Sequence, residues 1–103
     1  MKNIFDAIPE KLESEIFESL VESRNVQIER IISKGQASPD TGWYDQDKNE
    51  WVLVVKGEAV LAFAEGPTVT LKPGDYINIA AHRKHKVKWT APEAETIWLA
   101  VHY

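Results

Sequence analysis

The sequence predicts an all-β fold, a sandwich or a barrel, and three observations carry that reading. From residue 50 onward, short runs rich in β-branched and aromatic residues recur at regular spacing: Glu50 to Val55, Ala59 to Ala64, Val69 to Leu71, Tyr76 to Ala80, His85 to Trp89 and Thr96 to Tyr103. Turn-forming clusters separate them, namely Lys56-Gly57-Glu58, Glu65-Gly66-Pro67, Pro73-Gly74-Asp75 and the region of Pro92. A chain of 103 residues is long enough to bury one core and not two, so these strands share a single domain. Many short strands without intervening helical patterns favour a closed or double-layered antiparallel sheet over a parallel α/β arrangement.

Along the chain, residues 1 to 25 are expected to form a helical segment and residues 26 to 103 the β-barrel domain. Asp6 can cap a helix and Pro9 suits a first turn. Glu10, Glu13 and Glu15 match the positive end of a helix dipole, while Leu12, Ile16 and Leu20 recur on one helical face. So short a helix needs tertiary support, and its apolar stripe is expected to cover a sheet edge or one end of a barrel. From Val26 the period becomes two, with Ile28, Arg30 and Ile32 alternating with Gln27, Glu29, Ile31 and Ser33; which face is inside stays open. Gly35 to Gly42, with Ser38, Pro39 and Asp40, reads as a loop.

Composition excludes several classes of function. The chain is 44% hydrophobic and 27% charged, ordinary values for a folded domain. Its longest apolar run, Trp51 to Val55, is far shorter than the roughly 20 residues that span a bilayer, and no signal-peptide core opens the chain. A soluble, cytoplasmic protein without a membrane partner is expected. Cysteine is absent, which rules out disulfides, thiolate metal sites and thiol nucleophiles. A net charge of −4 gives no electrostatic basis for binding nucleic acid. The basic cluster Arg83, Lys84, Lys86 and Lys88 alternates with Val87 and Trp89, as the solvated face of a half-buried strand does. No serine occupies a nucleophile-elbow context, and the five glycines are scattered turn residues rather than a phosphate loop.

Two spacings identify a family. Glu50 followed after six residues by Gly57 resembles the second half of the first cupin motif; Gly74, five residues, Ala80, then His82 and His85 resemble the second. The phrase Leu71-Lys72-Pro73-Gly74-Asp75 before Tyr76 is similar to the opening of that second motif in small cupins, and Trp43-Tyr44-Asp45-Gln46 with Glu50-Trp51-Val52-Leu53 resembles small bacterial single-domain cupins of unassigned function. The resemblance spans roughly residues 26 to 103 and implies a jelly-roll (double-stranded β-helix) barrel and a homodimer. In the family, two histidines one residue apart, a glutamate and a second-motif histidine hold a metal. Glu50 and His85 map directly; the other two positions are Tyr44 and Gln46, or Trp43 and Asp45 if the spacing is one longer. Ala80, His82 and Trp89 stand where the second motif usually has proline, glycine and asparagine.

Side-chain parity then proposes a site. On a regular strand Tyr44, Gln46 and Glu50 face one way, into the barrel, and His85, Val87 and Trp89 point there too. The candidate ligand-binding residues are therefore Tyr44, Gln46, Glu50, His85 and Trp89. The resemblance implies one divalent transition metal, zinc, iron, nickel or manganese, on Glu50, His85 and Gln46, with His82 or His102 as a further nitrogen donor. Three readings follow: a barrel that binds a small polar molecule, with or without a divalent metal; a metal-dependent oxygenase, isomerase or lyase acting on a small organic acid or sugar; or a structural barrel in which Glu50 and His85 are only a buried ion pair.

Overall fold

Alternating inward and outward side chains build two antiparallel sheets that face each other across one core. The computed structural model describes residues 1–103 and contains eight strands: β1 (Ile16–Glu22), β2 (Gln27–Ser33), β3 (Glu50–Lys56), β4 (Ala59–Phe63), β5 (Val69–Leu71), β6 (Tyr76–Ile79), β7 (His85–Thr90) and β8 (Thr96–His102). One sheet has the order β1-β2-β8-β3-β6, the other β5-β4-β7. Ile31, Val52, Val54, Leu61, Phe63, Ile79, Trp98 and Ala100 form the centre of the core between them. In β3 the alternation is regular: Glu50, Val52 and Val54 are buried, while Trp51, Leu53 and Val55 are half-buried on the outer face. No helix of the chain is long and apolar enough to cross a membrane.

The N-terminal segment departs from expectation. It contains no helix, and Ile16 to Glu22 is a strand paired antiparallel with β2. Asp6 does cap a local structure, a turn in which its backbone N–H donates to Asn3 O at 3.0 Å and its carboxylate accepts from the Asn3 N–H at 2.9 Å. The helical spacing of Leu12, Ile16 and Leu20 competes with a β-period that serves the sheet better. Ile16 and Glu18 lie opposite Ile32 and Arg30 on the outer face, and Phe17 and Ser19 lie opposite Ile31 and Glu29 on the inner one. Tertiary pairing therefore overrides local propensity.

Arg30, only 5% exposed, fastens this segment. One guanidinium nitrogen donates to both carboxylate oxygens of Glu18 at 2.8 Å, and the other donates to the carbonyls of Ile4 and Asp6 at 3.0 and 2.6 Å. The same residue thus ties β1 to β2 and folds residues 1 to 6 over the outer face. As an edge strand, β1 is blunted by the extra residue Leu20, which bulges between the pairs Ser19–Glu29 and Val21–Ile28.

The turn that carries the chain from β3 in one sheet to β4 in the other depends on Gly57. Its φ of 90° lies in the left-handed region, and a Cβ there would press on the Thr96 hydroxyl, 2.6 Å from Thr96 Cα and 2.8 Å from Glu95 O. The space is taken because Thr96 Oγ1 donates to Glu58 O and accepts from the Glu58 N–H, both at 3.2 Å. Gly66 has a φ of 106° with no atom near its missing Cβ. Gly57→Ala is expected to cost about 2–4 kcal/mol, from left-handed strain plus overpacking; Gly66→Ala should cost only the strain, about 1–2 kcal/mol. Urea denaturation of the two variants checks the difference, and equal losses would refute the packing account.

Candidate functional site

Each polar residue of the site is placed by its strand register. Glu50 opens β3, buried, with His102 of β8 as its cross-strand partner on one side and Ile79 of β6 on the other. His85 opens β7 opposite Phe63. The loop after β2 returns to β7 at Tyr44, whose N–H donates to His85 O at 2.8 Å and whose carbonyl accepts from the His85 N–H at 3.1 Å. That bridge fixes the parity the sequence left open. Tyr44 and Gln46 face the barrel interior, whereas Asp45 turns outward to accept from His82 Nδ1 at 2.8 Å and Trp43 is exposed.

The space between these side chains is a cavity of about 130 Å³. Most of its wall is apolar: Ile31, Val52, Leu61, Ile79, Val87 and Trp98, with Phe17 at the mouth. The titratable lining groups are Glu15, Glu29, Glu50, His85, His102 and Tyr44, with no lysine or arginine. Four of the five predicted binding residues, Tyr44, Gln46, Glu50 and His85, meet here.

Trp89 does not join them. The pairs Leu61–Val87 and Val60–Trp89 leave Lys88 as an extra residue of β7, and this bulge reverses the parity after Val87. Trp89 therefore points outward, 40% exposed. His82 is likewise outside, with its side chain 67% exposed beside Asp45. One contributor, Glu29, went unassigned from sequence, and His102, named there as an alternative nitrogen donor, had no face assigned to it. The period-two pattern of β2 and β8 contains both, but the inward face was legible only once the pairing of β2 with β8 was known.

Inside the cavity, carboxylates and imidazoles alternate. His85 Nδ1 donates to Arg83 O at 2.8 Å, leaving Nε2 to face Glu50 Oε1 at 3.4 Å. On the other side of Glu50, His102 Nε2 lies 3.9 Å from Oε2 and donates to Glu29 Oε1 at 2.8 Å. Burial acts to lower the His85 pKa, but the contact with Glu50 and the hydrogen bond to Arg83 O outweigh it, and the net shift is upward from 6.5. Gln46 Oε1 is buried without a hydrogen-bond partner. Glu15, also in the cavity lining, accepts from Ser33 Oγ at 2.6 Å, and Ser33 Oγ in turn accepts from Trp98 Nε1 at 3.2 Å.

The expected metal does not match this donor set. No three His, Asp or Glu side chains converge as a cation site would require. His102 is turned to Glu29, and the partners of Glu50 and His85 on the facing loop are a phenol and an amide rather than two imidazoles. A borderline transition ion prefers nitrogen-rich sites to this mixture.

Comparison with known proteins agrees with the fold. The cupin domain model matches residues 30–102. A Ralstonia eutropha JMP134 structure named a "putative mannose-6-phosphate isomerase" is 43% identical with a TM-score of 0.94, over 99% of this chain and 95% of that one. A cupin superfamily protein of Desulfitobacterium hafniense DCB-2 is 21% identical with a TM-score of 0.75, over 92% of this chain and 82% of that one. A cupin family protein of Methanocaldococcus jannaschii with a double-stranded β-helix fold is 17% identical with a TM-score of 0.71, over 92% of this chain and 84% of that one. The last two similarities concern the fold alone. No curated protein matches the chain significantly.

A pH dependence follows from the raised His85 pKa. The folded state favours imidazolium, so the stabilisation from His85 is fully present below pH 6.5 and fades as pH rises through the higher folded-state pKa. The stability gap between the wild type and His85→Gln is expected to narrow between pH 6 and pH 9 in urea titrations. NMR of the His85 ring should give a midpoint above 6.5 that falls in Glu50→Gln, where burial loses its main opponent. A midpoint unchanged in Glu50→Gln would sink this account.

Proposed function

The chain belongs to the cupin domain family, and from that premise we propose that its barrel interior binds a small, uncharged organic molecule carrying a hydrogen-bond donor, held directly by side chains. The observation that carries this reading is Gln46 Oε1, a buried acceptor without a partner in the wall of the cavity. An orphaned buried acceptor costs about 1–3 kcal/mol, which a ligand hydroxyl or amide N–H would recover. The cavity, about 130 Å³, is close to one of about 150 Å³ that accommodates benzene, so the buried part of the ligand has roughly six heavy atoms.

Charge selects against acids. Three glutamates and no lysine or arginine line the space, and two imidazoles are the only groups there able to become cationic. A sugar phosphate of the kind invoked by the name of the Ralstonia protein wants guanidinium or ammonium groups around its phosphate. The same argument disfavours the organic acids that a metal-dependent member of this family could take. Side chains, rather than an ion, are therefore the supported means of holding the ligand.

For the outer face of the larger sheet, the partner we infer is a second copy of this chain. Trp51, Leu53, Val55, Leu99 and Val101 form a half-buried apolar band there, and Tyr76 extends it, 66% exposed with its ring 5.4 Å from that of Trp51. A band of this kind is self-complementary when two copies meet about a two-fold axis.

Two experiments test these readings. In ligand-observed NMR, five- to six-atom alcohols and hydroxyketones are expected to bind at least tenfold more tightly than carboxylates of equal size; Gln46→Leu should weaken the former about fivefold, the worth of one hydrogen bond near 1 kcal/mol. Equal binding of acids and alcohols would overturn the charge argument. Light scattering should give twice the 11.7 kDa chain mass, and Leu53→Glu should give the monomer; a monomeric wild type at micromolar concentration would refute the dimer.

A further inference from the structure

We propose that the outer face of the smaller sheet docks a short, extended, acidic segment of a partner protein, with its carboxylates on Lys84, Lys86 and Lys88. This surface is separate from the barrel interior and does not depend on what binds there.

Strand register builds the face. In β4, Ala59, Leu61 and Phe63 point into the core, so Val60, Ala62 and Ala64 point out. β7 lies alongside with long side chains on the same face. Val60 is opposite Trp89 and Ala62 opposite Lys86, and one rung further on the Ala64 N–H donates to Lys84 O at 3.0 Å. Lys88, the bulged residue, adds another exposed cation between Lys86 and Trp89. Short side chains on one strand and long ones on its neighbour leave a trough. An extended chain laid along it presents alternate side chains about 6.6 Å apart, the spacing of Lys84 and Lys86 on their own strand. Two hollows open along the trough, one beside Lys86 and Lys88, the other beside Arg83 and Lys84.

Charge on this face is concentrated and uncompensated. The chain has 16 acidic residues against 12 lysines and arginines. Arg83, Lys84, Lys86 and Lys88 nevertheless form no ion pair, whereas Arg30 and Lys56 each hold a glutamate. Two of the four are positioned without being neutralised. The Arg83 guanidinium lies 3.8 Å from the centre of the Phe63 ring, and Lys86 Nζ lies 4.6 Å from that of Trp43 while donating to Asp40 O at 3.0 Å. Cations held in this way lose little freedom when a carboxylate arrives. Trp89, 40% exposed beside Val60, offers apolar contact to the uncharged residues of the segment.

The reach of the patch selects the class of partner. Lys84 to Lys88 spans about 13 Å of strand, and acidic residues bound it, Glu65 beside Arg83 and Asp40 beside Lys86. A nucleic acid gains affinity by having many consecutive phosphates neutralised, and here it would run past these cations onto a chain of net charge −4. Three carboxylates on five extended residues match the patch instead.

A dye-labelled pentapeptide, Glu-Val-Glu-Val-Glu, is the probe, titrated with the full chain by fluorescence anisotropy at low salt. Saturable binding is expected, about tenfold tighter than for Gln-Val-Gln-Val-Gln and about threefold tighter than for Glu-Glu-Glu-Val-Val, which has the same charge in the wrong spacing. Lys84→Glu/Lys88→Glu, at two exposed positions, should weaken it about tenfold. Lys2→Glu/Lys11→Glu, which alters net charge equally away from the patch, should leave it within about twofold, as should Gln46→Leu in the barrel. If the patch variant does not fold by circular dichroism, Lys88→Gln replaces it, with a loss of about threefold expected; an unchanged affinity there would refute the docking site. Absence of saturable binding, or equal losses in the two double variants, overturns the proposal. Equal affinity for the two glutamate peptides removes the extended register. A thymidine decanucleotide bound as tightly as the peptide would assign the face to nucleic acid. Assembly beyond a dimer in light scattering, abolished by Lys84→Glu/Lys88→Glu, would assign it to a second copy of this chain, and either result overturns the choice of partner.

Discussion

A carboxylate sealed into an apolar barrel must be compensated, and the interior of this molecule is organised around that requirement at Glu50. Desolvating the charge costs several kcal/mol unless donors or cations approach it. The fold answers from two directions. β8 pairs beside β3 in the register that sets His102 against Glu50, and β7 starts at His85 on the opposing sheet. Neither imidazole closes on the carboxylate, because each is anchored elsewhere, His85 to the backbone of Arg83 and His102 to Glu29. Compensation is spread over a chain of four groups, and the remaining wall can stay hydrocarbon.

That arrangement separates this chain from the metal-holding pattern of its family while leaving the scaffold intact. The loop strand that carries Tyr44 and Gln46 is locked to β7 by two backbone hydrogen bonds, so its side chains are delivered to the place that two histidines would occupy. A phenol and an amide at those positions offer hydrogen-bonding groups in place of imidazole nitrogens. On the binding reading proposed above, the barrel would recognise an organic molecule directly, with the carboxylate–imidazole chain as its polar part.

Much of this was legible in the sequence because turns and alternation are local. Gly57, the Pro73-Gly74-Asp75 turn and the period-two runs located six of the eight strands nearly to the residue, and Glu50 and His85 stood at the two motif positions. What failed to show depended on pairing. Ile16 to Glu22 carries a helical spacing of apolar residues that only the presence of β2 converts to a strand. Trp89 was expected inside because parity was counted through Lys88, and a one-residue bulge has no signature without its partner strand. Glu29 and His102 sit on adjacent strands far apart in sequence, so their meeting is a property of the β2–β8 register.

The composition of the cavity mouth has a kinetic meaning. Glu15 and Phe17 belong to the first strand and its approach, which is hydrogen-bonded along one side only, by its ladder with β2 and the Arg30 guanidinium. Edge strands of this sort open at a fraction of the free energy of global unfolding. Transient peeling of the chain's first strand would widen the way into the barrel, and on the binding reading proposed above the lifetime of a bound molecule would depend on how often that edge frays as well as on the rigidity of the core behind it.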